Sequence, residues 1–254
     1  MEAFEPFLLS LIAGSASGLG GLIVFAYGRI GDRLLGFLMG FAGGVMLVIS
    51  FLELFVESLS LLSHLEATIF FVAGALLMMA IDLIIPHLER GVWERGVVNP
   101  RLVRTGLMIA IGISVHNLPE GLVVSAGYTY MPRLGLLVAI IISLHNIPEG
   151  IATAIPLASG GLDKRRAARV AFLSGMTEPL GALLGSAFIS LMGGGDRIIG
   201  TCLAFAAGVM TYITIDELIP VAHEYCSVTH KHVVSTGLLM GMLLGHVLSV
   251  AMNV

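Results

Sequence analysis

Two nine-residue stretches of this 254-residue chain decide its fold: Ser114-Val115-His116-Asn117-Leu118-Pro119-Glu120-Gly121-Leu122 and Ser143-Leu144-His145-Asn146-Ile147-Pro148-Glu149-Gly150-Ile151. Each sets His, Asn and Glu inside an otherwise apolar run, 102–126 for the first and 132–158 for the second. A helix that crosses a bilayer needs about 20 such residues. Comparable runs lie on both sides, at 6–27, 34–56, 67–88, 166–192, 198–221 and 233–252. The sixth of the eight is interrupted by Glu178-Pro179. Only 12% of the chain is charged and 57% is hydrophobic, with a mean hydropathy of +0.98; a soluble domain carries roughly 25% charge. The runs are continuous and do not alternate, which argues against a β-barrel. Two cysteines, Cys202 and Cys226, make no disulfide scaffold, and a net charge of −4 gives no support for a nucleic-acid partner. The expectation is an all-α membrane protein, one domain over 1–254 with eight transmembrane helices. Its start, Met1-Glu2-Ala3-Phe4-Glu5, lacks the basic region of a cleavable signal, so the first span is expected to stay in the bilayer.

Basic residues orient the spans. Arg29 and Arg33 lie in loop 1–2; Arg90, Arg95, Arg101 and Arg104 in loop 3–4; Lys164, Arg165, Arg166 and Arg169 in loop 5–6; Lys231 in loop 7–8. One side thus holds 11 of the 13 basic residues, and the other only Arg133 and Arg197. The rich side is predicted to be cytoplasmic, which puts both termini on the extracellular or periplasmic side of the cell (inner) membrane.

The two motifs are 29 positions apart, on spans 4 and 5. Phe41-Ala42-Gly43-Gly44-Val45-Met46 with Glu53-Leu54 recurs as Phe205-Ala206-Ala207-Gly208-Val209-Met210 with Glu217-Leu218, shifted by 164, on spans 2 and 7. More faintly, Gly14, Leu19 and Gly20 match Gly175, Leu180 and Gly181, on spans 1 and 6. Each pair joins an odd span to an even one, which run in opposite directions. An inverted 3+2+3 repeat around a midplane site, as in many secondary transporters, is the reading.

Seven acids fall within spans: Glu53, Asp82, Glu120, Glu149, Glu178, Asp216 and Glu217. Each intramembrane charge costs on the order of 2.5–3.5 kcal/mol, and seven on the order of 15–25 kcal/mol, with no Lys or Arg deep in a span to offset them. They are protonated, hydrated or matched by a bound cation. Residues four apart share a helix face, so His116 accompanies Glu120 and His145 accompanies Glu149, while Asn117 and Asn146 flank the same carboxylates. Imidazole with carboxylate suits Zn²⁺, Fe²⁺, Mn²⁺ or Co²⁺ and disfavours alkali ions. Pro119 and Pro148 cannot donate to the Val115 and Leu144 carbonyls, and are expected to kink the helices at the depth of the ligands.

At these residues the chain resembles the ZIP (Zrt-/Irt-like) divalent metal transporters, nearest the bacterial ZupT/GufA-like branch. The resemblance covers essentially the whole chain. It implies a binuclear metal site, with His116, Asn117, Glu120, His145, Asn146, Glu149 and Glu178 as ligands. It also implies an elevator-like movement of spans 1, 4, 5 and 6 against 2, 3, 7 and 8, often in a homodimer. Two departures stand out: residues 89–101 hold no histidine, where many members carry a His-rich loop, and some relatives use other polar residues at 145 and 146. The implied activity is transport of Zn²⁺, and of related divalents including Cd²⁺, into the cytoplasm. The partners are the metal ion and the lipid bilayer; the metal is substrate, with no prosthetic group expected.

Glu53 with Met46 is read as the outer entrance, and Asp82, His87, Asp216 and Glu217 as the cytoplasmic exit. Asp82 and His87 form an Asp-x-x-x-Pro-His pattern resembling the family's exit side. Glu57, His64 and Glu66, on an outer loop, are candidates for raising local cation concentration; His223-Glu224 and His230-Lys231-His232 are read as polar loop. Two other classes stay open at this point. An intramembrane zinc hydrolase would use His and Glu to activate water, but the chain has no His-Glu-x-x-His. A proton-coupled carrier of organic substrates would expect mid-span Arg or Lys, which are absent.

Overall fold

The computed structural model describes residues 3–28, 30–84, 98–226 and 231–252. All regular structure among them is helical. Eight helices are long and apolar enough to cross a membrane: α1 Phe4–Tyr27, α2 Asp32–Leu61, α3 His64–Ile84, α4 Pro100–Tyr130, α5 Pro132–Ser159, α6 Lys164–Leu191, α7 Asp196–Tyr225 and α8 His232–Met252. Several outrun the apolar stretches that announce them. α4 begins earlier because Asn99 Oδ1 accepts from the Arg101 and Leu102 amides (3.1 and 3.4 Å) and Pro100 fits the first helical position. It ends only at Tyr130, since Met131 alone links it to α5, which again starts on a proline. Both helices stay helical through Pro119 and Pro148.

Three spans are irregular. α6 breaks at Met176 between Lys164–Gly175 and Thr177–Leu191. Pro179 therefore falls in a first turn, where a missing N–H deprives no carbonyl. In α2 and α7 the ladder widens to π-helix at Ile49–Phe55 and Thr214–Leu218. At the head of the two stretches Ser50 Oγ donates to the Met46 carbonyl and Thr214 Oγ1 to that of Met210, both at 2.8 Å. A hydroxyl that takes the carbonyl one turn back favours such a local slip.

The spans pack as two bundles, α1 with α4, α5 and α6, and α2 with α3, α7 and α8. Within each, backbones touch where a side chain is missing, and the contacts recur in matched form. A Cβ on Gly150 would run into the Ser17 carbonyl, and one on Gly121 into that of Glu178; Gly20 faces the Ile147 carbonyl as Gly181 faces that of Leu118. In the other bundle Gly44 abuts Leu238 as Gly208 abuts Phe71. Where the bundles meet, α4 against α7 and α2 against α5, no glycine approach of that kind occurs among the described residues; the nearest is Gly112, 3.8 Å from Glu217 Oε2.

The outer acids differ from the sequence expectation. The link between α2 and α3 is only two residues long, 62–63, so Glu57 and Glu66 lie on helices. Ser63 and Glu66 cap each other reciprocally, Ser63 N donating to Glu66 Oε2 (3.2 Å) and Glu66 N to Ser63 Oγ (3.3 Å). Arg197 Nη2 donates to Glu66 Oε1 at 2.6 Å. Glu66 is thus spent on a cap and an ion pair.

Candidate metal site

The two motifs face each other across the α4–α5 hairpin, and the broken helix α6 brings Glu178 beside them. His116 is 1% exposed, and Asn117, Glu120, His145, Asn146, Glu149 and Glu178 are 0% exposed. The one-turn spacing puts His and Glu on one face of each helix, but each His turns to the opposite helix. His116 Nε2 lies 3.3 Å from Glu149 Oε2, and His145 Nε2 lies 3.0 Å from Glu120 Oε1. Asn146 Nδ2 donates to Glu178 Oε2 and to the Ala13 carbonyl, both at 2.9 Å. Asn117 Nδ2 donates to the Ser174 carbonyl at 3.1 Å. The two amides thus hold equivalent carbonyls on α1 and α6, one turn before Ser17 and Glu178.

Every one of these seven side chains keeps one buried atom without a hydrogen bond: Nδ1 of His116 and His145, Oδ1 of Asn117 and Asn146, Oε2 of Glu120, and Oε1 of Glu149 and Glu178. His116 Nδ1 has Glu217 Oε2 at 3.4 Å as its nearest acid. A stranded buried polar atom costs about 1–3 kcal/mol, and native folds keep few of them. Seven together, all imidazole nitrogen, amide oxygen or carboxylate oxygen, form the donor set of a borderline-to-hard divalent cation. Among the described residues, no three His, Cys, Asp or Glu side chains are gathered closely enough to hold an ion. Six of the seven side chains are instead closed upon one another in pairs, His116 with Glu149, His145 with Glu120 and Asn146 with Glu178.

A cavity of about 340 Å³ opens onto this cluster. His116 and Glu149 line its inner end, and Asp82, Asp216, Glu217 and Glu224 are the charged groups on otherwise apolar walls, with no Lys or Arg. Tyr212 donates its hydroxyl to Asp82 Oδ2 at 3.3 Å. Three of the acids assigned to the exit are thus gathered in one space, and Glu217 reaches farther in than expected, to the cluster itself. His87 lies outside the described residues. Glu53 is 5% exposed and Met46 is sealed in the apolar core, so both entrance candidates are buried in this conformation.

Two residues escaped the sequence reading. Glu224, taken as loop, sits seven positions after Glu217 on α7, two turns along the same general face. Counting in sevens from Glu217 would have found it. Ser17 stands 161 positions before Glu178, the offset that relates α1 to α6, and its Oγ is buried without a partner. Its usual acceptor one turn back, the Ala13 carbonyl, is engaged by Asn146. Glu224→Gln is expected to lower cation uptake at low ionic strength and to have no effect once salt screens the cavity mouth. Flux measured across a salt series checks this.

A family described as ZIP Zinc transporter matches residues 94–249. Zinc transporter ZupT of Chlorobium luteolum is 39% identical over 252 residues, covering 92% of this chain and 93% of that protein. Zinc transporter ZupT of Streptococcus mutans is 35% identical over 255 residues, with 95% of each chain covered. Zinc transporter ZupT of Corynebacterium efficiens is 38% identical over 253 residues, covering 93% of this chain and 92% of that one. With eight helices fit to span a bilayer and likeness of this extent along nearly its whole length, the chain is a multi-pass membrane protein that belongs to the ZIP zinc transporter family.

Proposed function

We propose that this protein moves divalent cations, Zn²⁺ first and Fe²⁺, Mn²⁺, Co²⁺ and Cd²⁺ with it, across the inner membrane into the cytoplasm. The seven stranded donor atoms between α4, α5 and α6, opening onto an acid-lined cavity, carry this reading. Membership in a transporter family sets the hydrolase and the organic-substrate carrier aside.

A cation arriving at the cluster replaces the His116–Glu149 and His145–Glu120 contacts and satisfies the spare atoms. Glu120 and Glu149, each flanked by a His and an Asn, can bridge two ions, with Glu178 completing the Asn side. Release follows the cavity from His116 past Glu217 to Asp216, Asp82 and Glu224. All four acids are less buried than the cluster, so the ion passes from enclosed ligands to partly hydrated ones and is not trapped. Glu53, with Met46 one to two turns deeper, serves as the entrance in the opposite conformation.

Matched glycine contacts, matched Asn–carbonyl bonds and matched π stretches support an inverted repeat that exchanges α1 with α6, α2 with α7 and α4 with α5. Exchanging the halves converts an inward-open arrangement into an outward-open one, which is alternating access. The bundle of α1, α4, α5 and α6 is then the moving part. Both termini face outward in this topology. α3, the least covered span, is the face for lipid and for a second copy in a homodimer.

Purified protein in liposomes loaded with a zinc-sensitive dye tests the function. Zinc influx is expected, and His116→Ala is expected to reduce it at least about tenfold, as loss of a metal ligand does. Influx equal to the parent's would remove the cluster from the path. Topology is tested separately with Glu224→Cys in a background where Cys202 and Cys226, both buried, are changed to Ser. A membrane-impermeant thiol reagent is expected to label that site only from the cytoplasmic side; labelling from outside would invert the assignment.

A further inference from the structure

On the outer flank of α1 and the first half of α6 lies a groove of about 520 Å³. Leu19, Leu22, Phe25 and Phe172 form its walls, and Arg165 and Arg169 line it too. Those four apolar side chains are 39–55% exposed, so the described residues leave about half of each uncovered. Arg165 and Arg169 are one turn apart and share a helix face. The Arg165 guanidinium lies 6.0 Å from the centre of the Phe25 ring. Among the described residues neither arginine has a carboxylate within ion-pair distance. Lys164 and Arg166 flank them in the sequence.

From Ser15 at one end of the groove to Phe25 at the other, α1 rises about 15 Å. That is half of the roughly 30 Å hydrocarbon core, the depth of one leaflet. The arginines sit at the Phe25 end, where α6 begins and a headgroup would lie. We propose that this groove binds one anionic phospholipid, its phosphate between Arg165 and Arg169 and an acyl chain along Leu22 and Leu19 toward Ser15. Charge complementarity selects the occupant. A zwitterionic lipid brings its own cation to a site that already holds two. A second copy of the chain docked here by two-fold symmetry sets arginine against arginine. The proposal stands apart from the transport reading and would survive its failure.

The test is thermal unfolding and native mass spectrometry of the full chain in detergent, with added dioleoylphosphatidylglycerol or dioleoylphosphatidylcholine. The glycerol lipid is expected to raise the unfolding temperature and to remain bound, and the choline lipid to do neither. Arg165→Gln with Arg169→Gln is expected to weaken the glycerol lipid roughly tenfold or more, and Arg197→Gln, far from the groove, to leave it unchanged. Leu19→Trp, which fills the groove without altering charge, is expected to weaken it as well. Equal stabilisation by both lipids, or a glycerol-lipid effect that survives the double variant, overturns the proposal. So does inorganic phosphate reproducing the effect, or a dimer buried through this face.

Discussion

Glu149→Gln is expected to lower the Zn²⁺ affinity of the purified protein by about 10–100-fold without unfolding it, and Asn146→Ala by clearly less. Glutamine keeps the shape of the side chain and one oxygen or nitrogen near His116 Nε2. It removes the negative charge from a position with 0% exposure. In the metal-free protein that charge is a liability, since buried carboxylates are held against their desolvation cost. The unfolding temperature without metal is therefore expected to hold or rise while binding collapses. That opposite movement separates a ligand from a packing residue, whose loss lowers both. Calorimetry giving equal affinities for Glu149→Gln and Asn146→Ala would sink the bridging role.

Gly150→Val is expected to do the reverse and destroy the fold around the cluster before any ligand is touched. A Cβ at this position collides with the Ser17 carbonyl, with the Ser17 carbonyl carbon 2.7 Å away and its Cα 2.9 Å away. These are backbone atoms on another helix, so relief requires α1 to move off α5. Overpacking of this kind costs typically about 1–3 kcal/mol, and valine on a rigid helix pair belongs at or beyond the upper end. Loss of monodisperse protein, or a large drop in unfolding temperature, is the expected observation. Gly31→Ala, with nothing within 4 Å of the added carbon, is the control. Normal stability in the valine variant would show that α1 and α5 do not pack as described.

Eight spans were legible because continuous apolar runs leave few alternatives in a chain with so little charge. The cluster was legible because His, Asn and Glu recur at one spacing on adjacent spans. What the sequence concealed is register. A π stretch adds a residue to the turn and rotates everything after it, so Glu217, read as an acid of the inner end of α7, reaches 3.4 Å from His116 Nδ1. The same slip precedes Glu224, whose place in the cavity depends on α7 continuing to Tyr225. Cross-pairing of each His with the other helix's Glu was invisible for a different reason, since spacing within one helix carries no information on which neighbour it faces. The break in α6 was half visible in Glu178-Pro179, yet it falls at Met176, where the turn leaves the proline in a position that needs no donor.

Met131, the lone residue joining α4 to α5, allows the two motif-bearing helices no slack. They form a stiff fork, and the alternating access proposed above would have to shift that fork whole, together with α1 and α6 and against α2 and α7, which it meets without backbone interlocking. On that proposal turnover would be governed by friction along the seam beside α2 and α7, and grip on the ion by the fork itself. The pace of transport and the choice of passenger would then be open to separate adjustment, by changing different side chains.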